Sequence, residues 1–193
     1  MTILILGLLL FLGAHSIRIF ADPWRAAQIA RIGEMRWKGV YSLLSAVGLG
    51  LITWGYGVAR TGDMVLWVPP LPMRHVAAGL TLPAFILLVA AYLPGSHIKA
   101  RVGHPMVAGV KLWALAHLLA NGNLADALLF GAFLAWAIAD FIAARRRDRI
   151  AGRTYPVCCS TRDASVVAIG TLAWAVFAFW GHALLIGVAP FRI

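Results

Sequence analysis

His104-Pro105-Met106-Val107-Ala108-Gly109-Val110-Lys111-Leu112-Trp113-Ala114-Leu115-Ala116-His117-Leu118-Leu119-Ala120-Asn121-Gly122 reads as a short membrane helix that carries two histidines and a lysine. Pro105 suits the first helical position, where its missing N–H is no loss, and Asn121-Gly122 suits a left-handed stop. Ionisable side chains inside hydrocarbon are costly and usually functional. A spanning segment with three of them is therefore the first place to look for chemistry.

The rest of the chain supports a membrane setting. Of its 193 residues 62% are hydrophobic and 12% charged, about half the charged share of a soluble domain, and the mean hydropathy is +0.84. The net charge of +10 does not point to nucleic acid, because a nucleic-acid binder carries its basic residues on a solvated face. Here they sit between apolar runs, where they orient a protein in the bilayer. Cys158 and Cys159 are adjacent, with neither C-x-x-C redox spacing nor a second pair for zinc nor a C-x-x-C-H haem-attachment motif, and read as reduced loop thiols. No G-x-S-x-G, H-E-x-x-H or phosphate-binding glycine loop appears, so hydrolase and ATPase readings find no support.

Six segments are long and apolar enough to span a core that takes roughly 20 residues, shorter ones being accommodated by local thinning. They run Thr2–Phe20, Lys38–Ala59, Arg74–Leu93, His104–Ala120, Asn123–Ala144 and Ala164–Ala189. The expected fold is all-α: an integral, six-transmembrane-helix bundle in a single domain, residues 1–193. No Lys or Arg precedes the first apolar run, unlike a cleavable signal peptide, so it reads as a retained span. Ala21 to Lys38 reads as an amphipathic helix on the membrane, anchored by Trp24 and Trp37. Gly48, Gly50, Gly55 and Gly57 let a neighbouring helix come close to span two. Gly62-Asp63 and Trp67 to Pro72 read as a loop, Pro83 as a kink. Most basic residues fall after spans one, three and five, including Arg145, Arg146, Arg147, Arg149, Arg153 and Arg162; Arg60, Arg74 and Arg192 fall on the other side. The positive-inside rule puts both termini on the non-cytoplasmic side.

Six histidines are the main chemical signal. Imidazole is the commonest metal ligand, and paired histidines on facing membrane helices can hold haem b. The bland reading, a buried histidine bonded to a backbone carbonyl, stands beside this for each of His15, His104, His117 and His182. His97 reads as a solvated loop residue and His75 as a boundary residue. His104 and His117 are separated by a rise of roughly 20 Å on a helix and cannot serve one metal atom. Trp113, His117 and Asn121 share one face, His104 and Lys111 another. By depth His117 matches His182 and, less closely, His75, whereas His15 matches His104. Lys111 lies mid-span, with Asp140 as the nearest carboxylate in depth and a cofactor carboxylate as the alternative partner.

With these residues named, the chain resembles the NnrU family along nearly all its length. The resemblance rests on Phe11-Leu12-Gly13-Ala14-His15-Ser16, Tyr41-Ser42-Leu43-Leu44-Ser45, and above all His104-Pro105 through Trp113-Ala114-Leu115-Ala116-His117 to Asn121-Gly122. That family is linked to nitric- and nitrous-oxide metabolism in denitrifying bacteria, and its plant relative, ζ-carotene isomerase, is a membrane haem b enzyme. The resemblance implies haem b held by His15 and His117, with His182 and His75 as alternatives by depth, and Trp113, Asn121, Lys111 and Arg18 as cofactor-contacting candidates. The chain departs from the plant enzyme where that enzyme has a cysteine proposed as an alternative ligand, here Ala114. The implied role is a redox, haem-handling or assembly factor in the bacterial inner membrane, with a redox or denitrification membrane complex as the implied partner. A cofactor-free accessory subunit is the second reading, and a haem-dependent cis–trans isomerase of a polyene the third.

Overall fold

The computed structural model describes residues 1–62 and 64–191. Asp63 and Arg192, used in the loop and charge readings above, lie outside the described residues. The architecture is all-helical apart from an isolated antiparallel bridge between Val65 and Asn123. Helix α1 runs Thr2–Phe20, as its apolar composition predicts. Helix α2 covers Asp22–Ile32, opening with Pro23 near its start and Asp22 in its first turn, where a carboxylate favours the positive end of the helix dipole.

The surface helix is shorter than the sequence implied. Gly33 takes a φ of 85°, which ends α2, and Glu34 to Lys38 instead form the first turns of α3, Glu34–Ala59, closed by a Glu34–Lys38 ion pair of 2.8 Å. A short 3₁₀ turn, Arg60–Gly62, follows. Helix α4, Pro72–Tyr92, continues through Pro83. Helix α5 is the short His97–Val102, and α6 is Pro105–Ala120 with His104 at its N-cap. Helix α7, Leu124–Ile150, takes up Arg145 to Arg149, which the sequence had placed in a loop. Helix α8, Ser160–Val176, passes into a π-helical turn, Phe177–Gly181, and then into α9, His182–Ile186.

The expected left-handed stop after α6 does not form. Asn121 is extended (φ −129°, ψ 140°), and its side-chain amide donates to the His117 carbonyl at 2.8 Å, which caps the last turn instead. Asn123 can then take part in the bridge to Val65, while Leu66 donates to the Gly122 carbonyl and Leu124 to that of Met64.

Of the six expected spans, five are matched in length and composition. Among the described residues five helical segments are long and apolar enough to cross a membrane. Helix α6 is apolar but has only 16 residues, a length of about 24 Å against a hydrocarbon core of about 30 Å. The chain is an all-α, multi-pass helical membrane protein.

It packs as two compact units, Met1–Val68 with Gly122–Asp140, and Pro69–Asn121 with Phe141–Ile193. In the first, α1 lies against α3 at backbone contact: a Cβ on Gly48 would stand 2.9 Å from the Phe11 nitrogen, and one on Gly7 2.6 Å from that of Ile52. Small residues matter here because lipid gives apolar side chains no reason to leave it, so association rests on close packing and hydrogen bonds. The buried Asp126 accepts from the Tyr56 hydroxyl. In the second unit, α4 lies between α6 and α8. Ala90, Ala114 and Ala116 are fully buried, and the Trp174 indole donates to the Thr81 hydroxyl at 3.1 Å.

Candidate functional site

The second unit brings two of the candidate ligands together. The rings of His117 on α6 and His182 at the start of α9 have centroids 6.5 Å apart and planes 18° from parallel, as their matching depth implies. His117 Nδ1 donates to the Trp113 carbonyl at 2.8 Å, one helical turn back. His182 Nδ1 donates to the Val188 carbonyl at 2.7 Å. A carbonyl can only accept, so in each neutral ring the proton is on Nδ1 and the lone pair on Nε2. This is the arrangement by which proteins orient a ligating imidazole.

Local structure explains how His182 reaches this position. A straight α-helix through Phe177–Gly181 would carry His182 to another azimuth; the wider π turn rotates the chain less per residue just before it. Gly187 then adopts a left-handed conformation (φ 76°, ψ 10°), folding the chain back so that the Val188 carbonyl meets the ring. Aromatic side chains close around the pair. Trp113 lies 5.2 Å from His117, Phe177 5.7 Å from His182, and Phe85 5.6 Å from Phe177.

The other predicted residues of this unit go elsewhere. His75 is exposed near the start of α4. His104 Nε2 donates to Asp148 at 2.8 Å, and the same carboxylate oxygen accepts from the Tyr155 hydroxyl at 2.7 Å. Lys111 lies 3.6 Å from the centre of the Phe141 ring, whose edge contacts His104. A cation over a desolvated ring gains roughly 2 kcal/mol, so the ring is the contact the structure gives this ammonium. His97 is exposed, as the sequence implied, but it opens α5 instead of lying in a loop, and its Nδ1 lies 2.6 Å from an Asp163 carboxylate oxygen.

The first unit holds His15, Arg18 and Asp140. Arg18 is exposed on the last turn of α1. His15 Nδ1 donates to the Phe11 carbonyl at 2.7 Å, so its lone pair also falls on Nε2. Its ring stacks on Phe11 at 4.2 Å, lies 5.2 Å from Tyr41 and meets Trp136 edge-on at 5.9 Å. The buried Trp136 Nε1–H has no hydrogen-bond partner among the described residues.

Among the described residues no three or more His, Cys, Asp or Glu side chains gather as a metal site. Both cysteines are free thiols near the start of α8. The sequence singled out neither Asp148 and Tyr155, which tie down His104, nor Trp136, which meets His15 edge-on; Tyr41, also beside His15, figured there only as part of the Tyr41–Ser45 motif. The signal available for Trp136 was its position one turn before Asp140 on an otherwise apolar face.

The family model described as NnrU protein matches residues 3–190. No curated protein and no solved structure matches the chain.

Proposed function

The chain belongs to the NnrU family, and for this member we propose a membrane haem b protein whose iron is held by His117 and His182. The observation that carries the proposal is the pair of near-parallel imidazoles, each with its Nδ1–H held by a backbone carbonyl. The donor set suits the group. A metal bound by protein alone calls for about four ligands, whereas a porphyrin supplies four nitrogens of its own, so His117 and His182 would be the residues to complete its ligand set. Trp113, Phe177 and Phe85 supply the apolar walls such a macrocycle requires.

When bound, haem b supplies one-electron redox chemistry. The chain's own residues fix the imidazole tautomers, exclude water with aromatic rings, and hold the helix ends through the Asn121 cap. We read α6 as a crossing helix accommodated by local thinning, both termini as non-cytoplasmic and the membrane as the bacterial inner membrane. Through the family, the role proposed is redox, haem-handling or assembly in nitrogen-oxide metabolism.

Protein purified from a haem-replete host should show a Soret band and about one haem per chain by pyridine haemochrome. His117→Ala and His182→Ala should each lose most of it, and His15→Ala should keep it. Full haem content in both of the first two variants would sink the assignment. Loss in His15→Ala and His117→Ala with retention in His182→Ala would restore the His15–His117 pair.

A further inference from the structure

The arrangement around His15 has no part in the site proposed above. A buried indole N–H without an acceptor is costly, about 1–3 kcal/mol, and in hydrocarbon no water relieves it. Trp136 Nε1 is such a donor. Across from it, His15 offers the opposite deficit: its Nδ1–H is committed to the Phe11 carbonyl, which leaves the Nε2 lone pair as an acceptor. The two rings meet edge-on with centroids 5.9 Å apart, so the donor without an acceptor and the imidazole with a spare lone pair are carried on neighbouring rings.

The surroundings limit what can satisfy them. Phe11 stacks on His15 and Tyr41 lies 5.2 Å from it, with Phe133 behind Phe11 at 5.8 Å. Flat aromatic walls favour a planar guest. A groove of about 310 Å³ runs between α1 and α7, lined by Leu8, Leu9, Leu12, Ser16, Leu128 and Ala132. Its size is at the lower end of the roughly 300–1,000 Å³ usual for ligand pockets. Leu128 and Ala132 precede Trp136 by two turns and one turn on the same helical row, and Leu12 and Ser16 flank His15, so the apolar groove leads toward the polar pair.

We propose that the first unit binds a quinone or quinol, its ring at His15 and Trp136 and its apolar tail in the α1–α7 groove. A ring oxygen accepts from Trp136 Nε1–H, and in the quinol form a ring hydroxyl donates to His15 Nε2. The same lone pair disfavours a carboxylate or phosphate, because an anion cannot donate to it. A bare hydrocarbon chain fills the groove but leaves the indole unsatisfied. The site stands independently of haem at His117 and His182.

The test uses the full-length protein in nanodiscs of a single neutral phospholipid, titrated with decylubiquinol and decylubiquinone and followed by calorimetry. Wild type should bind both. Trp136→Phe keeps the apolar ring and removes only the donor, so it should bind about tenfold more weakly, the equivalent of one hydrogen bond. His15→Phe should lose quinol affinity more than quinone affinity, a split that loss of packing alone does not produce. Palmitate and a decyl chain without a headgroup serve as controls and should bind at least tenfold more weakly than decylubiquinol. Equal binding by wild type and Trp136→Phe, equal binding of palmitate, or no quinone binding by a monodisperse wild type each overturns the proposal. None of these outcomes depends on the Soret band, so the two sites succeed or fail separately.

Discussion

Asp148 is 7% exposed and accepts from two side chains, His104 and Tyr155, on one oxygen. A buried carboxylate is held in place by its donors, and removing one costs more than the bond itself contributes. Tyr155→Phe should therefore lower thermal stability in detergent by about 1–2 kcal/mol. Burial and the adjacent Asp148 carboxylate push the Tyr155 phenol above its ordinary range. A raised tyrosine keeps its proton in the folded state, so its contribution is fully present below the unfolded value near 10 and is lost as pH rises through the folded value. The stability gap between wild type and Tyr155→Phe should close in alkali; a gap constant to pH 11 would contradict this. At this scale the sequence was legible where depth along a helix decided the outcome, as for His117 and His182. It was not legible where tertiary partners decided it. Asp148 sits among Arg145, Arg146, Arg147 and Arg149 and looks like one more solvated charge, and nothing local marks Trp136 as a donor without an acceptor.

The helices divide in the same way. Helix α1 could be read to the residue, because its long apolar run has only one membrane solution and the Ala21-Asp22-Pro23 stretch follows directly. The boundary between α2 and α3 could not, since Gly33 alone sets it and a glycine within polar sequence is ambiguous. Helix α7 continues past its apolar part because arginines are good helix formers and no breaker follows until Gly152. The π turn before His182 leaves no mark in composition at all. Helix contacts do carry a testable signature. Leucine at Gly48 has to displace the Phe11 backbone, whereas Gly50, two residues on, faces open space. Gly48→Leu should cost about 1–3 kcal/mol and broaden the size-exclusion profile in detergent, and Gly50→Leu should behave as wild type. Equal behaviour of the two variants would mean that the α1–α3 contact contributes nothing.

For the whole molecule, composition was enough to establish a multi-pass helical membrane protein, and charge supports the orientation proposed above. The proposed orientation predicts that the segment carrying Arg153, Cys158, Cys159 and Arg162 faces the cytoplasm. A membrane-impermeant maleimide should label it in inverted vesicles and not in right-side-out ones; the reverse pattern would turn the topology over. Within the pair, the Thr161 hydroxyl lowers the Cys159 thiol, whereas hydrogen bonding with Cys159 raises that of Cys158. More thiolate at neutral pH means faster alkylation, so Cys158→Ser should label faster than Cys159→Ser. What composition could not convey is that each unit is assembled from two separated stretches of chain. A chain made from its N-terminus inserts α1 and α3 first. Gly122, Asn123 and Asp126, which supply the bridge to Val65 and the acceptor for Tyr56, emerge only after all of Pro69–Asn121. The glycine contact between α1 and α3 therefore has to hold a half-built unit in the lipid through that interval, a demand set by the order of synthesis rather than by the finished structure.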